Sequence, residues 1–440
     1  MTHLTKKKNL LPLNVVASIL LFIAAVFAAI IANSPLAPVY HNFLSQELQL
    51  QIGSFNLFSH GSHSLTVIEF VNDCLMTIFF LSVGLEIKRE LLVGELSSFR
   101  RAILPFISAC GGMLIPVAVY FLLINHGTPD EKGMAIPMAT DIAFSLGVLS
   151  LLGKRVPLTL KIFLTAFAVV DDIGGILVIA LFYSSEVYYS YLLVAALLYI
   201  LLYYLGKIGV TQKIYYLCIG VVIWYLFMQS GIHSTISGVI LAFLMPARPR
   251  MDVGKYIGQI RRIINKFPVT VSDDIILTNR QIALLKQAGR ASDYVISPLQ
   301  SLEDNLHGIV NFVILPLFAF VNAGVVLGGG SELIGGVSIA VALGLLIGKF
   351  IGIFSFTWLA IKSKLAIMPQ GMNWKNIAGV SLLGGIGFTV SLFIANLSFG
   401  AGHPELLNEA KLGIIVGSLL SGLLGYIVLH AVLSRKHTKG

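Results

Sequence analysis

The chain is predicted to be an all-α polytopic membrane protein of twelve transmembrane helices, arranged as inverted-topology repeats with interrupted fourth and eleventh helices. Three observations carry this. Of its 440 residues 56% are hydrophobic and only 12% charged, with a mean hydropathy of +0.88, whereas a soluble domain carries about 25% charge. Windows of about 19 residues pick out apolar stretches at 13–33, 66–86, 103–124, 135–151, 159–183, 188–206, 214–228, 232–246, 309–327, 337–360, 377–399 and 413–433. Two of these are broken by glycine or proline at the centre of a three-span group, 103–183 and 337–433, the pattern of an inverted-repeat transporter with broken helices at the midplane.

Taken in order, the elements read as one transmembrane domain, 1–440. Lys6, Lys7 and Lys8 precede a run, Val15 to Ala32, that is longer than a signal-peptide core, so it is read as an uncleaved first span. Between the first two spans, apolar and polar residues alternate from Leu48 to Leu57 around Gly53-Ser54, which predicts an external β-hairpin within 45–58. The second span carries Asp73, with Glu69 read as interfacial and solvated. Gly133 and Pro137 interrupt the fourth just before Thr140 and Asp141. The fifth holds two adjacent acids, Asp171 and Asp172, in the middle of an apolar segment. His233 heads the short eighth span, where a lone histidine is more often structural. The polar, basic stretch 247–297 is read as an extended cytoplasmic loop. The tenth span carries Lys349, and Gly384, Gly385 and Gly387 interrupt the eleventh before Thr389.

The net charge of +9 does not point to nucleic acid. All Lys and Arg residues except Lys132, Lys349 and Lys411 fall in alternate connections or at the two termini. By the positive-inside rule that side is the cytoplasm, with both termini in it. Cys74, Cys110 and Cys218 all fall inside apolar spans and imply neither a disulfide framework nor a zinc site.

The chemistry lies in the intramembrane charges Asp73, Asp141, Asp171, Asp172 and Lys349. A charge near the bilayer centre costs about 2.5–3.5 kcal/mol even on lenient scales, so such groups mark ion or proton paths. Asp171 and Asp172 diverge by about 100° on a helix and are expected to line two sectors of one cavity. Hard cations take oxygen ligands, and burial with like-charge repulsion lifts a carboxyl from near 4 into the neutral range. Proton and cation would then compete for one site. Half-helix ends at the breaks carry partial charges, which Asp141 and Lys349 would balance at the positive and negative ends respectively.

These residues carry a family resemblance. Thr140-Asp141-Ile-Ala-Phe, Asp171-Asp172 ten residues beyond Lys161, Phe79-Phe80-Leu-Ser-Val-Gly84-Leu-Glu86-Ile-Lys88-Arg89-Glu90, Leu315 to Gly324, and Gly385-Ile-Gly-Phe-Thr389 together resemble the NhaA-type bacterial sodium/proton antiporters, from about Asn9 to Leu433. Inverted repeats are already a known property of that family. The resemblance implies that the fourth and eleventh helices cross, and that cytoplasmic sodium or lithium is exchanged electrogenically for external protons across a bacterial inner membrane, with no cofactor. Asp171 and Asp172 would form the cation site, with Asp172 the more direct ligand. Asp141 and Lys349 would compensate the dipoles. Glu86, Arg89, Glu90, His233, Glu303 and His307 would influence the pH response, and a homodimer would be held partly by the hairpin. The chain departs from the family pattern at Asp304, where a histidine is usual, and in its longer preceding loop. Rival readings are an intramembrane aspartyl protease, whose Tyr-Asp and Gly-x-Gly-Asp signatures are absent, and a sodium-coupled symporter of organic anions, for which no basic or aromatic anchor beyond Lys349 lies in the spans.

Overall fold

Twenty helical residues rise about 30 Å, the thickness of the bilayer's hydrocarbon core. In the computed structural model, which describes residues 13–52, 55–60, 63–183, 187–249, 251–267, 277–326, 335–400 and 402–437, long apolar helices dominate. Lys6, Lys7, Lys8 and Lys439, used above for orientation, and Gly53 and Ser54 of the hairpin turn lie outside the described residues. Among the described residues, nine helices are long and apolar enough to cross a membrane: Val15–Ala32, Val67–Val93, Phe99–Leu123, Leu158–Phe182, Tyr189–Ile208, Lys213–Ser230, Pro298–Asn322, Gly336–Lys362 and Pro404–Ser434. Two bent pairs, Pro129–Met138 with Ile142–Leu151 and Trp374–Leu383 with Phe388–Phe399, raise the number to eleven if each is one span. The remaining expected span is the helix Thr235–Leu244, which is apolar but only 10 residues long. Ten residues reach about 15 Å, half the hydrocarbon thickness.

Several helices outrun the apolar windows. The second continues to Val93, the ninth begins at Pro298, and the last begins at Pro404. A hydropathy window closes where charge begins, but the backbone goes on satisfying its own hydrogen bonds into the interface. Glu86, Arg89, Glu303 and His307 therefore stand on helices whose rotation fixes where they point. The second span starts at a capping box, in which the Thr66 backbone N–H donates to Glu69 Oε2 at 2.8 Å and the exposed Glu69 returns its own N–H to the Thr66 hydroxyl. Such a box satisfies two otherwise orphaned donors.

The breaks have local causes. Proline disfavours helical backbone in the residue before it and cannot donate, and the 3₁₀ segment Pro129–Met138 ends just past Pro137. Ala139 and Asp141 are extended, at φ −82°, ψ 149° and φ −88°, ψ 102°. In the second pair the break falls on Gly384 to Gly387. The pairs bend by 42° and 43°. One ladder of small residues seats the tenth span against its neighbours. A Cβ on Gly344 would come within 2.7 Å of Pro137, and one on Gly348 within 2.7 Å of Pro116 Cα. On Gly111 or Gly352 it would overlap the other residue's carbonyl oxygen. This is close backbone approach of the kind that small residues at four-residue spacing permit in membranes.

Outside the spans, Gln51–Ile52 pairs antiparallel with Phe55–Asn56, and Ser59–His60 with His63–Ser64. The short helix Ala37–Leu44 is pinned by Tyr40, whose hydroxyl donates to Phe320 O at 2.6 Å. Burial pushes that phenol up to about 12, so it stays a donor throughout the physiological range. The stretch 247–297 is more structured than an extended loop, because it holds two helices, Val253–Lys266 and Asn279–Val295. Cys74, Cys110 and Cys218 are free thiols.

Candidate functional site

The two broken pairs satisfy each other's loose ends. A helix start leaves N–H groups without partners and a helix end leaves carbonyls, and here several of these groups find partners on the opposite pair. Asp141 caps its own half-helix, its Oδ1 accepting from Phe144 N at 3.0 Å. Its Oδ2 accepts from Thr389 N at 3.1 Å and from the Thr389 hydroxyl at 2.7 Å, so it faces the N-terminal ends of both half-helices. In return Asp141 N donates to Ile386 O at 2.7 Å. The carbonyl ends are served by hydroxyls: Thr140 donates to Gly384 O at 2.9 Å, Ser145 to Leu383 O at 3.0 Å, and Ser391 to Ile136 O at 2.7 Å. A carboxylate at a helix start also opposes the positive end of the dipole.

Beside this junction the helix Leu158–Phe182 brings Asp171 and Asp172 into the protein interior, 1% and 7% exposed. Their surroundings differ. Asp171 Oδ2 accepts from Lys349 Nζ at 2.6 Å, in an ion pair with both side chains fully buried. Lys349 also donates to the Thr140 hydroxyl at 2.8 Å and lies 5.7 Å from the centre of the Phe167 ring. It reaches the carbonyl end at Gly384 only through Thr140. Asp171 Oδ1 is buried without a hydrogen bond. Asp172, by contrast, makes no hydrogen bond or ion pair among the described residues and faces a cavity.

That cavity, about 230 Å³, is lined deep inside by Thr140, Asp141, Asp172 and Thr389 and nearer its mouth by Glu86, Arg89, Glu303 and His307. The expectation that both aspartates line it holds only for Asp172; Asp171 sits behind the wall, sealed by Lys349. At the mouth Arg89 Nε donates to Glu303 Oε1 at 2.8 Å, and its other arm lies 2.8 Å from Glu90 Oε1. Glu90 turns away from the cavity and accepts from Glu95 N at 3.1 Å. A 230 Å³ space holds several waters, each needing about 30 Å³, so a hydrated cation and protons can reach Asp172 through it. No group of three or more His, Cys, Asp or Glu arranged to hold a resident metal occurs among the described residues.

Two expected residues stand elsewhere. His233 Nε2 donates to Tyr183 O at 2.6 Å, and next to it the Ser234 hydroxyl donates to Asp73 O at 3.2 Å. Asp73 lies in a π-turn, Phe70–Leu75, thirteen residues before Glu86 on the same helix, which is about 20 Å at 1.5 Å per residue. His233 and Asp73 are thus together, at the end of the bundle away from the cavity mouth. Sequence reasoning missed the hydroxyls of Ser145 and Ser391, which carry no charge and stand out only when both breaks are superposed. It also gave Lys88 a purely topological role. The Lys88 ammonium donates to Phe243 O and Met245 O, both at 2.6 Å, closing the carbonyl end of the short helix Thr235–Leu244.

Comparison with known proteins bears on the family of the chain. A family model described as "Na+/H+ antiporter 1" matches residues 8–429. A protein named Na(+)/H(+) antiporter NhaA from Bacteroides thetaiotaomicron is 71% identical over 439 residues, covering 100% of both chains. One of the same name from Bacteroides fragilis is 70% identical over 436 residues, 99% of this chain and 100% of the relative. A third, from Phocaeicola vulgatus, is 57% identical over 95% of this chain and 94% of its own. The solved structure of a sodium proton antiporter from Methanocaldococcus jannaschii covers 95% of this chain and 91% of its own at a TM-score of 0.49 and 14% identity, too distant to bear on the site.

Proposed function

This chain belongs to the Na+/H+ antiporter 1 family, and from that premise we propose that Asp172 is the group over which sodium and protons compete. The supporting observation is the contrast at one helix turn, where Asp171 is neutralised by Lys349 and Asp172, without a partner among the described residues, stands on a cavity wall. A carboxylate there binds a sodium or lithium ion as an oxygen ligand or takes a proton, and one excludes the other. Release of protons from both Asp172 and the Asp171–Lys349 pair for each monovalent cation makes the exchange electrogenic. Glu86, Arg89, Glu303 and His307, ranged along the entry, tune how readily the deep carboxylate titrates, and this is the basis proposed for pH regulation. Alternating access around the fixed site is assigned to the two broken pairs, within a twelve-span inverted repeat that counts Thr235–Leu244 as the eighth span.

The basic connections support a cavity mouth and both termini in the cytoplasm of a bacterial inner membrane. Sodium thus leaves the cell as external protons enter. Pairing of two copies through the segment 45–58 is proposed as the dimer contact; deletion of 48–57 should convert a dimer to a monomer in light scattering, and an unchanged mass refutes it. The protein is a transporter, not a catalyst. In everted vesicles with an imposed proton gradient and no organic solute present, adding sodium should dequench a pH-sensitive dye. A dye that responds only when an organic anion is supplied would make the chain a symporter instead.

A further inference from the structure

The helix Val253–Lys266 (VGKYIGQIRRIINK) has no part in the ion site, and its two sides do different things. At 100° per residue Val253, Ile257, Ile260 and Ile264 form one narrow stripe, with Tyr256 and Ile263 along its edge. The edge packs inward, Ile263 being 6% exposed, while Val253, Ile257 and Ile264 are 61%, 52% and 64% exposed. The opposite face carries Lys255, Arg262 and Lys266, and Arg261 flanks the stripe. Of these cations only Lys255 has an ion pair among the described residues, with Asp252 at 4.0 Å. The helix is also tethered. Met251 N donates to Tyr294 O at 3.0 Å and Leu299 N to Pro246 O at 3.2 Å. These bonds close the base of the two-helix excursion only a few residues from Thr235–Leu244 and Pro298–Asn322, both membrane-embedded elements.

We propose that this helix lies against the anionic cytoplasmic leaflet of the bilayer that holds the protein, with Val253, Ile257 and Ile264 in the headgroup boundary and its Arg and Lys residues on lipid phosphates. An exposed apolar stripe on a helix whose other face is basic is the composition that interfacial helices share. Clusters of basic residues beside a span are drawn to anionic lipid. Within 247–297 nine Lys and Arg face four Asp, so the charge complements a negative surface and not another copy of itself. The inference rests on the orientation given under Proposed function, which sets this helix on the cytoplasmic side.

The test is amide hydrogen exchange of the full-length protein in lipid nanodiscs. The amides of 253–266 should exchange about tenfold more slowly in discs containing phosphatidylglycerol than in phosphatidylcholine alone, and high salt should remove the difference. The double variant Ile257→Glu/Ile264→Glu should lose the protection, as should Arg261→Gln/Arg262→Gln, while Tyr256 and Ile263 keep the helix docked. Equal exchange in both lipids overturns the proposal. So does protection that appears only with two copies per disc, which would make the occupant a second chain. Trypsin cleavage at Arg261 and Arg262 in right-side-out but not everted vesicles overturns it as well. Dye dequenching in everted vesicles reads the ion site alone, so its failure beside intact lipid protection in nanodiscs would count against the function and leave this inference standing.

Discussion

Neighbouring side chains on a helix point about 100° apart, and that angle separates Asp171 from Asp172. One is held by Lys349 at 2.6 Å; the other faces a cavity with no partner among the described residues. Asp172→Asn removes both the charge that binds a cation and the group that takes a proton, so sodium-driven dequenching should fall to that of vesicles lacking the protein, at equal membrane expression. Dequenching at the parental rate would refute the assignment. At the mouth, Glu303→Gln removes one negative charge and releases the positive charge of Arg89 from its 2.8 Å partner. Both changes make the potential in the cavity more positive, which favours the ionised form of a cavity acid. The activity-versus-pH curve should therefore move to lower pH by on the order of one unit, with the maximal rate changed less. A fixed curve with a lower maximum would mean that Glu303 shapes the path instead.

At the scale of elements, the broken pairs are held by exchange of donors and acceptors, and the tenth span is held by close packing. Gly352 lies three residues beyond Lys349 and touches Gly111 through the backbone, where no rotamer can relieve an added side chain. Gly352→Val should lower the melting temperature in detergent, with an overpacking cost of about 1–3 kcal/mol, and should reduce exchange by shifting Lys349. An unchanged melting temperature would show that the two helices can part without penalty. The breaks at Pro137 and Gly384 to Gly387 were visible in the sequence as punctuation, whereas the ladder Gly344, Gly348, Gly352 took its meaning only from the neighbours the structure sets against it. The helix ends were not, because hydropathy measures side chains while the helix is continued by the backbone. That is why the charged ends at Lys88–Glu90 and Glu303–His307 fell outside the apolar windows and yet are helical.

For the whole molecule, the cavity opens at one end of the bundle. Toward the other end, Ile179, about two turns beyond Asp172 on the same helix, is buried, as are Phe80 and Val239. One-sided access has a direct readout. Ser82 lines the cavity, so Ser82→Cys, in a chain whose Cys74, Cys110 and Cys218 are replaced, should react with a membrane-impermeant thiol reagent at least tenfold faster in everted than in right-side-out vesicles. A faster reaction in right-side-out vesicles would reverse the orientation drawn from the basic connections. The same bundle leaves His233 and Asp73 about 20 Å from the mouth, so His233 stands apart from Glu86 and Glu303.

Composition, hydropathy and motif order determined by themselves the membrane class, the positions of the two breaks, the family and the identity of the buried charges. Each of these follows from what a bilayer forbids: an isolated charge, an unsatisfied backbone or a proline within a helix has to be paid for by something nearby. Tertiary structure alone decided which aspartate is free and which is paired with Lys349. It also decided that Asp141 serves two helix starts at once, that serine and threonine hydroxyls close the carbonyl ends, and that Lys88 caps a neighbouring helix. All of these depend on distances between residues one hundred or more positions apart, or on helix rotation, and neither is written in the local spacing of the chain.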